Sequence, residues 1–307
     1  MALINTSPAF GSGFGANSLA RLADIVQTCQ RTGSHIGALA AMSSFPCLMD
    51  TEWAKLIDMD HVVTEKAGSI SIVGVDGCRL GWLCVELAGE RATATVSPDV
   101  ADVWGRYHDA DLIFIDVPIG LWDSGPQQRT CDHRARQILG PRRSSVFTPP
   151  LRPSLEFTSY ADASAHNHRL SGRKLSRQAW GIVPKIKEVD HFLSGHQAAH
   201  GVVREVHPEV LFWSLNGREP MSHAKKKPQG RCEREQLLLR YCPEALQVMR
   251  DVRARFLKRE VADDDVLDAL VAAVCARICA GGNMTTFPAR PEVDPQGLPM
   301  EMVYPLL

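Results

Sequence analysis

The sequence lacks the features that define several large classes of protein. Its nine cysteines include no pair at CxxC spacing, and Cys275 and Cys279 are expected to be thiols in the core of a helix rather than metal ligands. No apolar run reaches the roughly 18 residues of a membrane-spanning helix. The first residues, MALINTSPAF, carry no basic segment ahead of an apolar one, so no signal peptide is expected. These absences favour a cytoplasmic protein without a membrane partner.

The charge is nearly balanced over the whole chain but unevenly distributed along it. A formal net charge of −1 gives no global positive field that would attract nucleic acid. Between Pro126 and Lys187, however, twelve Lys and Arg stand against three Asp and Glu. We expect this basic stretch to contact a polyanion, and a solvated face balanced by acidic neighbours is the alternative.

Length and composition predict one large globular domain behind an N-terminal extension. The chain has 307 residues, of which 45% are hydrophobic and 22% charged, so it can bury a sizeable core. Residues 1–68 combine a Gly/Ser-rich start with irregular sequence, and we expect them to be a poorly ordered extension. Residues 69–307 carry the strand and helix patterns and are expected to form the domain.

The first part of that domain predicts a mixed sheet. Apolar, β-branched runs at 69–76, 82–87 and 92–97 are joined by short turns, which is typical of an antiparallel meander. A helix is expected over about 99–108. LIFID (112–116) is an uninterrupted apolar run of the kind that forms a strand buried on both faces.

The rest of the domain predicts a long insertion, a further strand and a final helix. Residues of about 125–200 are expected to be a helical or loop-like insertion. VVREV (202–206) predicts a strand, and Pro208 suits the first turn of the helix that follows it. An alanine-rich segment at 263–282 predicts the last helix, and Gly281 stands where that helix should end.

Acidic residues stand where the predicted elements begin or end. Asp76 ends the first strand, Asp116 ends LIFID, and Glu205 lies near the end of VVREV. Asp265 and Asp268 are three residues apart and so share one face of the last helix. Carboxylates gathered in this way suit Mg²⁺ or Mn²⁺, which prefer oxygen ligands. Taken singly, each residue also suits a turn or a helix cap.

A second group of residues is expected to bind substrate. Arg142, Arg143, Ser144 and Ser145 would cradle a phosphate, although a capped helix start or loop anchor is equally compatible with that sequence. Lys185 belongs to the same basic insertion and joins the set.

His207 and a lysine run complete the candidates. His207, beside Glu205, suits a general acid, a partner of a metal ligand or a buried structural histidine. Lys225, Lys226 and Lys227 suit a solvated loop better than a contact with a nucleic-acid backbone.

Six blocks of sequence together resemble a known family. In order they are GVDGCRLGW, FIDVPIGL, CDHRARQILGPRRSSVF, SRQAWGIVPKIKEVD, REVHPEVLF and DDDVLDALVAA. They resemble the family called domain of unknown function 429 over roughly residues 69–307. Members of that family are described as ribonuclease-H-like nucleases, related in fold to the RuvC and YqgF proteins. The resemblance implies a five-stranded mixed sheet of order 3-2-1-4-5 flanked by helices, with the basic insertion between strands 4 and 5.

The resemblance also implies roles for the acidic residues. Asp76 matches the aspartate of the first strand, Glu205 resembles the acidic residue of a later strand, and Asp265 and Asp268 resemble the D-x-x-D-A stretch of the last helix. Asp116 departs from the pattern, because YqgF-like proteins carry a glycine there. Asp76, Glu205, Asp265 and Asp268 are therefore the expected metal ligands, with Asp116 in support, and a homodimer is expected by similarity to RuvC.

Three functions remain open at this point. The first is a metal-dependent nuclease or other phosphodiesterase, which would act on RNA, DNA, a branched junction or a phosphorylated small molecule. The second is a nucleic-acid-binding or scaffolding protein that has the fold but no catalytic activity. The third is an ATP-dependent phosphotransferase of the actin and sugar-kinase type, whose phosphate-binding hairpin GVDGCRLGW resembles, although that architecture needs a second copy and the sequence contains one.

Overall fold

The structure is a computed structural model that describes residues 70–307, which lie within one compact unit, Lys66–Leu307. The expected N-terminal extension, residues 1–68, lies outside the described residues. In chain order the strands are β1 (Ser71–Cys78), β2 (Gly81–Ala88), β3 (Arg91–Ser97), β4 (Leu112–Ile115), β5 (Val203–Glu205), β6 (Met284–Val293) and β7 (Pro299–Pro305). The helices are α1 (Val100–Tyr107), α2 (Thr130–Leu139), α3 (Tyr160–Ser171), α4 (Arg177–Gly195), α5 (Pro208–Leu215), α6 (Pro228–Tyr241), α7 (Ala245–Arg255) and α8 (Asp263–Ala280).

The main sheet has the order β3-β2-β1-β4-β5, which confirms the α/β fold and the strand order that the resemblance implies. β1, β2 and β3 form the expected antiparallel meander, whereas β4 pairs parallel to both β1 and β5. Because the carboxyl ends of parallel strands meet at one edge of a sheet, β1, β4 and β5 bring Asp76, Asp116 and Glu205 to the same edge.

Alternating side chains along the strands bury both faces of the sheet. Ile72 and Phe114 face the layer that contains α5 and α8, while Val73 and Ile113 face the layer that contains α1 and α4. All four are fully buried. The sheet is therefore the middle layer of three, which is why LIFID is apolar without interruption.

The segment between β4 and β5 is helical, as expected, and contains α2, α3 and α4 with two short 3₁₀ turns, Gly140–Ser145 and Arg152–Glu156. Arg152 fixes part of this segment, since its guanidinium donates to Asp190 and Asp294 and lies 3.0 Å from an Asp123 oxygen. These contacts attach the insertion to the C-terminal hairpin that contains Asp294.

That hairpin, β6–β7, is not marked by the sequence pattern. Two prolines, Pro288 and Pro291, interrupt β6, and its pairing with β7 is irregular between Phe287 and Glu292. A strand with such breaks lacks the clean alternation by which strands are recognised. The hairpin nevertheless packs its apolar side chains, such as Met302, into the core beside α5 and α8.

None of the helices between residues 70 and 307 combines the length and hydropathy that a membrane span requires. The cysteines of this region are free thiols, and all are buried except Cys232. Cys275 and Cys279 lie inside α8 as core residues, as expected.

Gly74 brings the last helix unusually close to the first strand. A Cβ atom at this position would lie 2.2 Å from the backbone oxygen of Ala269 and 2.2 Å from the backbone nitrogen of Ala273. Only glycine in β1 and small residues in α8 allow this approach. It places the start of α8 beside the end of β1, where Asp76 lies.

Gly74→Ala is therefore expected to destabilise the protein by about 3 kcal/mol or more, because the new methyl group would collide with backbone that can move only as a whole helix. Gly77→Ala is the matched control: in the same strand, its Cβ would meet nothing closer than the Lys185 side chain at 3.8 Å. Chemical denaturation of both variants measures the effect. Equal stability of the two would contradict the packing described for α8.

Candidate functional site

A cleft of about 520 Å³ opens at the carboxyl edge of β1, β4 and β5. The acidic residues that line it are Asp76, Asp116, Asp132, Glu205 and Glu209, and the basic ones are Lys185 and Lys225. Volume and position are those of a small-molecule or substrate site in an open α/β sheet. Inside the cleft the carboxylates divide into two clusters.

The first cluster consists of Asp76, Asp116 and Asp268, which offer oxygen atoms within 4.8 Å of one another. Asp76 comes from β1, Asp116 directly follows β4, and Asp268 lies in the second turn of α8. Asp76 and Asp268 are only 8% and 4% exposed. Three elements that are far apart in the sequence thus converge on one point.

Burial and mutual repulsion raise the pKa values in this cluster. For Asp76 the loss of hydration raises the pKa most, followed by the charges of Asp268 and Asp116. Burial and then the charge of Asp268 raise the pKa of Asp116 to about 7, against the lowering effects of Lys225 and of a hydrogen bond with Asp76. Burial also raises the pKa of Asp268, against the lowering effect of Lys225. The cluster is therefore costly to ionise without a cation.

Lys225 supplies one such cation. Its Nζ donates to Asp268 Oδ2 at 2.7 Å. Burial would lower the pKa of Lys225, but the charge and hydrogen bond of Asp268 outweigh this and raise it, so the side chain stays protonated. Lys225 thus neutralises one of the three carboxylates. The remaining negative charge of the cluster is shared by Asp76 and Asp116.

Asp265 lies beside this cluster rather than in it. Its Oδ2 accepts the Ala262 backbone N–H at 2.8 Å, which fixes the start of α8. Burial raises its pKa to about 6. Of the two acidic residues expected on this helix, the structure therefore brings Asp268 to Asp76 and engages Asp265 in capping.

Glu205 belongs to a second cluster, which corrects the expected grouping with Asp76. Its neighbours are Cys131 and Asp132, and the guanidinium of Arg129 lies among all three. Arg129 donates to Glu205 and to the Cys131 sulfur at 3.0 Å, and it lies 3.2 Å from an Asp132 oxygen. The Ile119 backbone N–H donates to the other Glu205 oxygen at 2.6 Å. The physical reason for the correction is that a buried arginine already holds Glu205.

The two clusters differ in whether the protein already supplies a positive charge to their carboxylates. In the second cluster Arg129, which is 2% exposed, supplies the positive charge that the carboxylates need. In the first cluster Asp76 and Asp116 accept no hydrogen bond from a lysine, an arginine or a backbone N–H within residues 70–307, although both line the cleft. Carboxylates that are largely removed from water and lack donors favour a cation. The first cluster is the candidate metal centre.

The residues expected to cradle a phosphate occupy different places. Arg142 donates to the backbone oxygens of Met221 and Ser222, so it anchors the chain before α6. Arg143 and Ser144 are exposed outside the cleft, while Ser145 lines it. The structure thus brings only Ser145 of this group to the carboxylates.

Lys185 lines the cleft as expected of a substrate-binding residue. Its Nζ lies 4.1 Å from the centre of the Trp82 ring and donates to the Gly81 backbone oxygen at 2.8 Å. Glu188 accepts from the Trp82 indole at 2.8 Å and so fixes the ring beneath the lysine. Burial lowers the pKa of Lys185. A fixed cation thus stands in the same cleft as the candidate metal centre.

The surroundings of His207 favour packing over acid catalysis. Burial lowers its pKa to about 4, so the ring is neutral at pH 7. Nε2 lies 3.4 Å from the Ser145 backbone oxygen, and Nδ1 is buried with no partner among residues 70–307. A neutral ring with both nitrogens enclosed is poorly suited to donate a proton to a substrate.

The solvated loop that the sequence favoured for Lys225 is wrong, because its amine is paired with Asp268, and nothing in the sequence marks Arg129 as a site residue. Both belong to basic stretches, and a solvated lysine or arginine looks the same in a sequence as one that is paired in the interior. The only available signal is the surplus of carboxylates at the expected site, since buried acids require cationic partners. That surplus predicts a cation but does not say which residue or metal supplies it.

The stability of the metal-free protein is expected to fall as the pH rises from about 4 to about 7. The pKa of Asp116 is raised from 3.8 to about 7, so the folded state holds a proton that the unfolded state has released between these values. Each step of pH in that window therefore favours unfolding. Thermal unfolding in EDTA measures the slope, and Asp116→Asn should make it less steep, while Glu205 and Asp265, whose pKa values burial also raises, contribute the rest. An unchanged slope in that variant would contradict the assignment.

Fold and site together define the class of this protein: a three-layer α/β protein with a mixed five-stranded sheet and a carboxylate cluster at the sheet's carboxyl edge. Residues 74–293 match the family model described as "Protein of unknown function (DUF429)", which covers more than half of the chain. The chain therefore belongs to the DUF429 family, in agreement with the six ordered blocks of sequence. No curated protein and no solved structure matches it.

Proposed function

We propose that this protein is a metal-dependent phosphodiesterase that acts on nucleic acid. One observation carries the proposal: Asp76, Asp116 and Asp268 converge, and Asp76 and Asp116 line a cleft without a hydrogen bond from any lysine, arginine or backbone N–H within residues 70–307. In enzymes of phosphoryl transfer, Mg²⁺ is usually bound by the oxygen atoms of carboxylates.

The residues fit a hard divalent ion. All three donors are carboxylate oxygens, and they lie within 4.8 Å of one another, so one ion can be reached by all of them. Asp76 and Asp116 would hold the ion, and Asp268 would join them when Lys225 gives up its hydrogen bond. A bound Mg²⁺ or Mn²⁺ would activate water and stabilise the leaving oxygen of a phosphodiester.

The chain's own residues would bind and orient the substrate. Lys185, held over Trp82, places a positive charge in the cleft that can attract a phosphate. Lys225 can move between Asp268 and a phosphate oxygen, because its flexible stem is anchored at one end only. In the reaction, the water loses a proton as its oxygen bonds to phosphorus, the bond to the leaving oxygen breaks, and the leaving oxygen takes up a proton, so that no proton is gained or lost overall.

A cleavage panel with the purified protein tests the proposal. Single-stranded RNA, single-stranded DNA, an RNA–DNA hybrid and a four-way junction are incubated with Mg²⁺, Mn²⁺ or EDTA. We expect metal-dependent cleavage of at least one substrate and none in EDTA. Absence of cleavage throughout the panel, with no metal binding, would contradict the proposal.

A nucleic-acid-binding protein without catalysis is the second candidate, and Lys225 is the observation that favours it. A lysine that neutralises Asp268 provides a metal-free reason for keeping buried carboxylates together. This candidate predicts nucleic-acid binding that survives both EDTA and Asp76→Asn, with no cleavage in any metal. The phosphotransferase candidate has less support, since the described residues contain one five-stranded sheet and its architecture needs two.

A further inference from the structure

A second cavity, of about 360 Å³, lies next to the acidic cleft. The two share Val146, Phe147 and Gln178 as a common wall. We call this second space the basic cavity, after the Arg136, Arg173 and Lys174 side chains that line it. Its volume is within the range of small-ligand sites.

The protein offsets only part of the positive charge around the basic cavity: Arg136 lowers the pKa of the buried Asp132. No acidic side chain lines it. Within residues 70–307, Arg136, Arg173 and Lys174 have no carboxylate within ion-pairing distance, in contrast to Arg129 at its border, which is paired with Glu205. Several unpaired cations around one concave space are an electrostatic site for an anion.

Two of these cations are held in place by neutral groups. Arg136 donates to the Val146 backbone oxygen at 2.9 Å and to the Thr148 hydroxyl at 2.9 Å. Arg173 donates to the backbone oxygen of Gln127 at 2.9 Å. These bonds orient the guanidinium groups without cancelling their charge, so less entropy is lost when they bind an anion.

The start of α4 adds to the positive potential. Ser176 is its N-cap, with the side chain accepting the Ala179 backbone N–H at 3.0 Å, and both Ser176 and Gln178 line the basic cavity. The amino end of a long helix carries a partial positive charge. The helix supports the arginines and the lysine.

We propose that the basic cavity binds a second phosphate of the substrate whose scissile phosphate lies at the carboxylates, and that the substrate is therefore a single-stranded oligonucleotide. The inference rests on the proposed function for the position of the scissile phosphate. The proposal depends on the shared wall. Because the two spaces adjoin there, one ligand can contact the carboxylate cluster in the cleft and the unpaired cations in the basic cavity. The exposed part of Phe147, in that wall, offers a face on which a base can stack.

The test measures binding in EDTA, which removes metal and cleavage from the readout. Fluorescence anisotropy of a labelled oligo(dT) hexamer gives Kd for the wild type, Lys174→Glu and Arg91→Glu. Lys174 is exposed and has no hydrogen bond within residues 70–307, so its reversal should leave the fold intact, which the melting temperature checks. Arg91 is an exposed residue of β3, the edge strand away from β4 and β5, and is the matched control.

We expect Lys174→Glu to weaken binding about tenfold and to reduce the salt dependence of log Kd by roughly 0.7, the value for one phosphate contact of a single strand. Arg91→Glu should bind like the wild type. Unlabelled thymidine monophosphate should compete far less well than the hexamer. Equal Kd values for the two variants, or equal competition by the mononucleotide, would overturn the inference.

The two proposals fail in different ways. Hexamer binding that Lys174→Glu weakens, together with no cleavage in any metal, would overturn the phosphodiesterase and keep the anion site. Metal-dependent cleavage with no effect of Lys174→Glu on binding would overturn the anion site and keep the phosphodiesterase.

Discussion

Arg129→Met is expected to destabilise the protein by about 3–5 kcal/mol, the usual cost of removing one partner of a buried ion pair. The guanidinium contacts Glu205, Asp132 and the Cys131 sulfur, and it also donates to the Ile119 backbone oxygen at 3.3 Å. Burial already raises the pKa of Glu205 to about 8, against the lowering effect of Arg129. Without Arg129 both acids would have to take up protons in order to stay buried.

The loss of stability in Arg129→Met should depend on pH. Removing Arg129 raises the folded-state pKa values of Glu205 and Asp132 further above their unfolded values, so the folded state binds protons that the unfolded state does not. Arg129→Met should therefore be closest to the wild type near pH 5 and fall behind it as the pH rises. Urea denaturation across this range measures the effect.

Two further variants separate the ion pair from a general loss of an arginine. Arg143→Met removes an exposed arginine of the same insertion and should change the stability little. Adding Glu205→Gln to Arg129→Met should restore part of the loss, because one stranded acid is removed. A loss in Arg129→Met that neither depends on pH nor responds to Glu205→Gln would contradict the buried ion-pair network.

Asp76→Asn is expected to reduce metal-dependent cleavage by roughly 10³-fold or more. Loss of a residue that only hydrogen-bonds to a metal ligand costs about 10–100-fold, and Asp76 is a proposed ligand itself. Asp76 is the residue that the other carboxylates surround, and its pKa is raised by burial and then by Asp268, Asp116 and Asp265. Its amide replacement keeps the shape of the side chain but removes the charge that a divalent ion requires.

Asp76→Asn should keep its fold, so a loss of cleavage in this variant would reflect the missing ligand rather than unfolding. Replacing one of several repelling acids by an amide relieves repulsion, so the metal-free melting temperature should be equal to that of the wild type or higher. Asp109→Asn, which replaces an aspartate that is 94% exposed and outside the three-carboxylate cluster, is the matched control. Cleavage rates are compared for all three proteins at one Mn²⁺ concentration. Wild-type cleavage by Asp76→Asn would contradict the site.

The sheet could be predicted because its strands carry local signals. The runs that became β1 and β2 are buried on both faces, the run that became β3 is partly exposed at the edge, and LIFID is apolar throughout because β4 is an interior strand. Gly281 after α8 likewise marked the end of a helix. The β6–β7 hairpin could not be predicted, since its prolines and irregular pairing remove the period of two.

The site could be predicted only in part. Asp76 and Asp268 were expected together and do converge, because Gly74 and the alanines of α8 bring strand and helix close. Asp116 takes the place that was expected of Glu205. Both residues end parallel strands at one edge, so their positions in the sheet do not separate them. What separates them is Arg129, whose burial depends on tertiary packing and leaves no trace in the sequence.

The most direct test of the central claim, that Asp76, Asp116 and Asp268 form a divalent cation site and that Glu205 is outside it, is Mn²⁺ binding measured by isothermal titration calorimetry. The wild type, Asp116→Asn and Glu205→Gln are titrated at the same pH. We expect the wild type and Glu205→Gln to bind Mn²⁺ with similar affinity and Asp116→Asn to lose binding about 100-fold or more. Retained binding in Asp116→Asn together with lost binding in Glu205→Gln would contradict the assignment and move the metal centre to the other cluster.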